Sequence, residues 1–399
     1  MRIALIADTF PPLRTSGAIQ LRDLSKEFIR QGHFLTVLLP SPSQKEAWRL
    51  EETEGVQVLR LKAPHYKDIS YIQRAFSELI MPFAMMHNLS RSPLAKERWD
   101  GIIWYSPSIF HGLLASHLKS ANGCKGYLII RDIFPQWAVD MGLIKKSLPY
   151  YFFDYISRYQ YSVSDLIGVQ TLSNLEYFQQ WAERRGHRVE VLENWLGKPA
   201  KIPCSIRVAK TRLADRKILV FAGNMGVAQG LHIFILLAQK LLNRLDVGFL
   251  FVGRGSEMTG LKVSAELMRL DNVVFFDEID PNEIPDLYAQ CSIGIVALDP
   301  RHKIHNIPGK FITYMQSGLP TLANVNKGND IIQIIKDNRV GEVCESGELY
   351  DLLQVTEKLL SNIEQDSDYA LRCQSLFESK FTVQKAVNQI IVGLTSNGT

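Results

Sequence analysis

Residues 218–243 read Ile-Leu-Val-Phe-Ala-Gly-Asn-Met-Gly-Val-Ala-Gln-Gly-Leu-His-Ile-Phe-Ile-Leu-Leu-Ala-Gln-Lys-Leu-Leu-Asn. Ile218–Ala222 is a short apolar run of strand length, and Leu231–Asn243 is long enough for a helix. Between them Gly223, Gly226 and Gly230 make a loop without the G-x-G-x-x-G spacing of dinucleotide-binding sites. A strand, a glycine-bearing loop and a helix in that order form the repeating half of a parallel α/β sheet. Downstream the apolar runs recur at Gly248–Val252, Val273–Phe276, Ile293–Ala297 and Thr321–Ala323.

Upstream, Gly197-Lys-Pro-Ala-Lys-Ile-Pro-Cys204 and a basic stretch to Lys217 read as a linker. Before it the same alternation has already run once. Strands are expected at Ile3–Ala7, Phe34–Leu39, Gly101–Tyr105, Gly126–Ile130 and Asp165–Gln170, with an amphipathic helix over Leu21–Arg30. The expected fold class is therefore α/β, with two doubly wound Rossmann-like domains. The first covers residues 1–196 together with 380–399, and the second covers 197–379. A chain of 399 residues also exceeds what one hydrophobic core usually serves. In such sheets ligands gather outside the carboxyl ends of the strands, so two facing domains would bring two such edges to one cleft.

Composition narrows the classes. Hydrophobic residues make up 46% and charged residues 22%, as in folded globular proteins. No apolar run reaches eighteen residues, so no membrane-spanning helix is expected, and the short apolar start of the chain reads as a strand rather than a leader. A cytoplasmic protein is the expectation. Its five cysteines are scattered, with no metal-ligand spacing or disulfide framework. A net charge of +4 is too small to imply nucleic acid as a partner.

Four loops are candidates for holding an anion. The first contains Gly223, Asn224 and Gln229, where glycines allow a phosphate to approach the backbone; an ordinary strand-to-helix turn is the alternative. The second is Val252-Gly-Arg-Gly-Ser256, in which Arg254 either forms paired hydrogen bonds to a phosphate or is simply solvated. The third is Pro308-Gly-Lys-Phe-Ile-Thr-Tyr-Met-Gln-Ser-Gly-Leu-Pro320. Lys310 stands in the first turn of a short helix, where the macrodipole disfavours a cation unless an anion lies beside both. A lysine extended into solvent is the alternative. The fourth, Thr15-Ser-Gly-Ala18, places Gly17 at the start of the Leu21 helix. Such loops suit a pyrophosphate and hence a nucleotide-activated substrate.

With Asp8-Thr-Phe-Pro-Pro-Leu-Arg-Thr-Ser-Gly17 and Arg131-Asp-Ile-Phe-Pro-Gln-Trp137, these segments resemble retaining glycosyltransferases of family four, which have the GT-B fold. The resemblance runs over nearly the whole chain and is nearest to bacterial O-antigen and capsule transferases of the N-acetyl-L-fucosaminyltransferase type. It implies a nucleotide-sugar donor, with uridine diphosphate as the expected carrier, in the second domain and an acceptor in the first. It also implies a final helix, here Phe381–Leu394, returning to the first domain. No cofactor is expected, and no metal, since Gly17, Gly223, Arg254 and Lys310 would carry the diphosphate charge; Asp366-Ser-Asp368 reads as a solvated helix approach. Family members often carry Arg and Lys where this chain has Asn224 and Gln229, and two glutamates where it has His305 and Thr313. Thr313 would then meet the donor with a hydroxyl instead of a charge.

Asp132, past the end of a strand, is the candidate to bind or deprotonate the acceptor hydroxyl, or else a helix cap. His111 is a candidate contact to the donor sugar, or else a structural histidine. The expected acceptor is a polyprenyl-diphosphate-linked saccharide at the inner face of the cytoplasmic membrane. Two segments bear on that. Between Arg60 and Arg98 there are seven Lys/Arg against three Asp/Glu. There Ile72, Phe76, Leu79, Ile80, Phe83 and Met86 follow helical spacing, as in a helix lying in a bilayer interface. The aromatic run Pro149–Tyr161 reads instead as part of the first domain's core. A nucleotide-sugar epimerase of the same fold, and a non-catalytic sugar-nucleotide-binding scaffold, are the alternative functions.

Overall fold

The computed structural model describes residues 1–13, 15–66, 69–140, 142–199, 202–299 and 306–396. It divides into two compact units, Met1–Gly197 with Val383–Thr399, and Lys198–Thr382.

Unit 1 is built on eight strands: β1 (Arg2–Ile6), β2 (Phe34–Ser41), β3 (Trp48–Thr53), β4 (Val56–Lys62), β5 (Gly101–Tyr105), β6 (Lys125–Ile129), β7 (Leu166–Val169) and β8 (Arg188–Val191). Their order across the sheet is β3-β4-β2-β1-β5-β6-β7-β8. Every pairing is parallel except β3 with β4, an antiparallel hairpin at one edge that the apolar runs did not announce. The central strands are apolar on both faces because both are covered. Ile3, Leu5 and Ala7 pack with Leu21, Leu24 and Phe28 of helix Ser16–Arg30 and with Val387, Ile390 and Leu394 of helix Val383–Thr395. Ala4 and Ile6 face the opposite way, toward Met81, Met85, Leu114, Tyr161 and Phe178 on four other helices. The terminal helix is thus a core element of unit 1; a side chain on Gly101 would meet Leu394 at 2.9 Å.

Unit 2 has six strands: β9 (Lys217–Asn224), β10 (Val247–Arg254), β11 (Val273–Phe276), β12 (Ile293–Ala297), β13 (Thr321–Asn324) and β14 (Gly341–Cys344). The order β11-β10-β9-β12-β13-β14 is parallel throughout. In each unit the chain therefore reverses its direction of travel across the sheet beside the first strand, at β1/β5 and at β9/β12. A crevice opens at the carboxyl ends of such a pair.

Two sequence expectations need correcting. The Pro149–Tyr161 run is not wholly core. Tyr150 and Tyr161 are buried and Phe153 and Ile156 pack on the core, yet Tyr151, Phe152 and Tyr155 are exposed. A run of aromatics around a helix cannot all face one sheet. The Arg60–Arg98 segment, conversely, is not one basic surface. Arg60 lies in β4 and pairs with Glu51 at 2.6 Å, and Arg74 pairs with Glu78 at 2.9 Å. Its helix, Tyr71–Leu89, buries Met81 and Met85 and exposes Phe76, Ile80 and Phe83, while the Ile72 side chain lies outside the described residues.

Candidate functional site

In unit 2 the crevice is made by one tyrosine. Strands β9 and β12 pair only at Leu219–Ile293 and Val220–Gly294. Beyond that the ring of Tyr314 enters against Gly294, where a Cβ would meet it at 2.5 Å. The Tyr314 hydroxyl lies within hydrogen-bonding distance of both separated carbonyls, 3.2 Å from Val220 and 3.0 Å from Ile295. Burial raises the Tyr314 pKa well above the ordinary tyrosine value, so this wedge is a neutral donor.

Helix Gly309–Gln316 carries Tyr314 on its buried side and Lys310 in its first turn. Pro308 opens it with no side-chain cap and no acidic residue follows; the Phe311 amide turns back to the Pro308 carbonyl at 3.0 Å, and the Gly309 and Lys310 amides and the macrodipole meet no anion among the described residues. Lys310 is half-buried, with its ammonium 4.5 Å from the centroid of the Phe221 ring. A side chain on Gly223 would meet Lys310 Nζ at 3.2 Å. No carboxylate pairs with Lys310 among the described residues, and burial pulls its pKa down to about 8.

The glycine loop is backbone held against backbone. Gly223 and Gly253 are register partners, as are Asn224 and Arg254. A Cβ on Gly253 would lie 2.0 Å from the Gly223 carbonyl oxygen, and one on Gly255 2.3 Å from that of Met225. Both glycines have φ near +150°, at +146° and +150°. Only glycine lets these loop ends close up. Gln229 ends a short 3₁₀ turn, Val227–Gln229, and Gly230 follows with φ +57° against the Asp299 backbone. The Asp299 amide donates to the Ala228 carbonyl at 2.9 Å, tying this loop to the end of β12.

The second-domain candidates are therefore only partly gathered. Gly223 and Lys310 stand together. Asn224 is exposed at the loop rim. Thr313 lies one turn beyond Gly309 and its hydroxyl donates to that residue's carbonyl at 3.1 Å, leaving its oxygen as an acceptor. Arg254 leans the other way, toward Glu278 past the end of β11, at 3.2 Å and largely exposed. An exposed pair of this kind is weak and releases its arginine readily. His305 lies outside the described residues. Asp366 is held by Arg372 at 2.7 Å in the turn between two helices.

In unit 1 the β1/β5 crevice is lined by side chains. Thr15 caps helix Ser16–Arg30 through the Ala18 amide at 3.2 Å and shares a hydrogen bond with Thr9 at 2.9 Å. Gly17 follows, with the Tyr105 hydroxyl 3.3 Å from where its Cβ would stand. His111 has no solvent exposure, and neither ring nitrogen has a hydrogen-bond partner among the described residues. Burial lowers its pKa, and the opposing field of Asp8 only moderates this, so the imidazole is neutral at pH 7. Asp8 Oδ1 is likewise buried without a partner among the described residues. Buried polar atoms are normally satisfied, so these point to a hydrogen-bonding ligand or water in the crevice.

Asp132 is half-buried in the turn after β6, at the cis Phe134–Pro135 bond. Its charge reaches the Tyr105 hydroxyl. Burial first, opposed by the field of Arg131 and reinforced by Asp132 and Asp8, pushes the Tyr105 pKa up to about 12. Tyr66 and Glu78 join the same field. The Glu78 carboxyl is raised by burial, then lowered by Arg74 and raised by Asp8. Tyr66, Glu78, Tyr105, Tyr314 and Asp299 escaped sequence reasoning. Tyr105 and Asp299 had a positional signal, since each stands at or just beyond the carboxyl end of an expected strand. A cavity of about 420 Å³ also opens beside Arg2, His33, Phe34 and Trp99, but it lies at the amino ends of the strands, away from all these residues.

Residues 205–372, nearly all of unit 2, match the family model described as Glycosyl transferases group 1. The chain is 24% identical to a probable glycosyltransferase, WbjE of Pseudomonas aeruginosa, over 61% of each chain. It is 23% identical to WcaI of Escherichia coli K12, a putative colanic acid biosynthesis glycosyl transferase, over 87% of this chain and 86% of that one. Among solved structures, one described as "Trehalose-6-phosphate from E. coli bound with UDP-2-fluoro glucose" superposes with a TM-score of 0.73 at 10% identity, covering all of both chains. That likeness is one of fold, and the fold is GT-B.

Proposed function

We propose that this protein is a glycosyltransferase of bacterial surface-polysaccharide synthesis. It moves a sugar from a nucleoside-diphosphate donor, with uridine diphosphate the expected nucleotide, to a lipid-linked saccharide, with retention and without a resident metal. The carrying observation is Lys310: an ammonium beside Gly223, at an uncapped helix start, with no carboxylate partner among the described residues. A cation with a pKa near 8 in that position regains its full charge when a diphosphate binds. Negative charge growing on the departing diphosphate is then met by Lys310 and the first amides of helix Gly309–Gln316, with Arg254 recruited from Glu278. Asn224, Gln229 and Thr313 serve the donor through neutral hydrogen bonds.

The acceptor is assigned to unit 1. Asp132 orients or deprotonates its hydroxyl. Within unit 1, Gly17 is assigned to a phosphate and His111 to a sugar, the neutral imidazole offering one donor and one acceptor. The description of WcaI supports the polysaccharide setting, that of WbjE supports glycosyl transfer, and the UDP-2-fluoro glucose bound to the E. coli structural relative supports the nucleotide.

The test is incubation with a panel of nucleotide sugars, with and without a polyprenyl-diphosphate saccharide. Nucleotide release that depends on the acceptor supports the transferase. An isomerised donor without acceptor would replace it with the epimerase, and donor binding with no turnover by any sugar would replace it with the scaffold.

A further inference from the structure

Helix Leu148–Val163 has two faces with different tasks. Its inner face holds the acceptor-side loops. The Ser157 hydroxyl donates to the Phe134 carbonyl at 2.9 Å, and the Phe153 and Phe134 rings meet at 5.3 Å, so the turn bearing Asp132 rests on it. Gln160 donates to the Ser108 carbonyl at 3.2 Å, in the loop leading to His111. A side chain on Gly112 would meet the Gln160 Cα at 2.8 Å, so the two helices touch backbone to backbone.

The outer face is apolar and, among the described residues, unpartnered. Leu148 is 86% exposed, Tyr151 60%, Phe152 40% and Tyr155 69%. These positions follow i, i+3, i+4, i+7 and form one stripe. Leu143, at 68%, extends it through the preceding loop. Lys145 and Lys146 stand exposed between, and neither is paired with a carboxylate among the described residues. Over residues 142–163 there are three cations against one carboxylate, and that carboxylate, Asp154, is already taken by Arg158 at 2.7 Å.

Tyrosines and leucines at a basic edge suit the boundary between acyl chains and anionic headgroups, where aromatic rings bury their bodies and keep their hydroxyls wet. The exposed stripe of helix Tyr71–Leu89 has less such charge: Arg74 is paired with Glu78, and one exposed arginine, Arg91, follows the helix where two lysines precede the other. We infer that the outer face of helix Leu148–Val163, with Lys145 and Lys146, docks on an anionic phospholipid bilayer. This deepens the proposed function and rests on its lipid-linked acceptor. The docked helix would present the Asp132 turn beside the headgroups, where the acceptor's diphosphate lies.

The experiment is sedimentation of the whole protein with phosphatidylglycerol/phosphatidylethanolamine vesicles at low salt, in parallel with a melting curve as a check of folding. The wild type should bind, and Lys145→Glu/Lys146→Glu and Tyr151→Ser/Tyr155→Ser should each weaken binding about tenfold or more with the melting temperature not lowered. Phe76→Ser/Phe83→Ser should bind as the wild type does. Absence of wild-type binding, full binding by both stripe variants, or loss confined to Phe76→Ser/Phe83→Ser would overturn the inference. So would a dimer that the stripe variants dissolve while vesicles stay unbound. Variant-sensitive vesicle binding by a protein that transfers no sugar would support the docking face and refute the transferase, so the two readings fail separately.

Discussion

The two units share the winding of their central parallel strands and fill its switch point in opposite ways. In unit 2 the crevice between β9 and β12 is lined by backbone, a neutral tyrosine wedge and one cation without a carboxylate partner among the described residues. In unit 1 the crevice between β1 and β5 is lined by carboxylate, imidazole and hydroxyl side chains, and Asp8 and His111 have buried atoms without a partner among the described residues. Backbone amides and a lysine recognise charge without regard to the rest of the molecule carrying it. Directional side-chain donors and acceptors recognise hydroxyls. Under the proposed function, a unit that binds phosphate and a unit that binds sugar need differ only at the loop ends of a repeated architecture.

The sharpest way to break this contrast is at the glycines. Gly253→Ala places a methyl carbon 2.0 Å from the Gly223 carbonyl oxygen at φ +146°. It should cost about 3 kcal/mol or more of unit 2 stability and abolish donor binding. A melting curve and UDP titration like the wild type's would show that the loop ends need not touch.

Lys310→Ala comes next. Removing one preorganised charge should lower kcat/KM by about 3 kcal/mol, roughly a hundredfold. A turnover within a few fold of normal would take Lys310 out of the site. For unit 1, Asp132→Asn should cost about tenfold to a hundredfold in acceptor-dependent turnover and little in UDP affinity. Full activity would rule out proton abstraction by that carboxyl.

The pH response sharpens the contrast further. With its pKa lowered to about 8, Lys310 loses its charge on going from pH 7 to 9, so UDP should bind progressively more weakly and take up a proton as it binds. The unfolded chain holds that proton up to the ordinary lysine range. This group therefore makes unit 2 more stable as pH rises from about 8 toward 10, opposite in sign to the UDP trend. Calorimetry in buffers of different ionisation enthalpy measures the uptake, and affinity flat from pH 7 to 9 would contradict it. The smallest effect is expected from His111→Leu on stability. Its nitrogens have no partner among the described residues, so the melting temperature should hold or rise while turnover falls. A large drop in melting temperature would make His111 structural.

Much of this was legible in the chain. Apolar runs such as Ile3–Ala7 and Ile218–Ala222 announced central strands because a parallel strand covered on both faces has nowhere to place a polar residue. Gly223 stood out as a glycine in a strand-to-helix loop, and Lys310 because a cation breaks the preference of helix starts. The edge hairpin Trp48–Lys62 was invisible, since its mixed residues carry no such constraint. The direction of Arg254, held by Glu278 from a different loop, depends on a partner twenty-four residues away in sequence.

What the sequence by itself determined is the repeated α/β wind, the loops at the strand ends and the charge in one of them, because periodicity and glycine placement are local properties. Tertiary structure alone decided which residues meet at each switch point. It set Tyr314 as the wedge, left His111 and one Asp8 oxygen buried without partners among the described residues, and turned three of the seven Pro149–Tyr161 aromatics outward. Burial and contact belong to packing, and a helix buries only the side its neighbours cover.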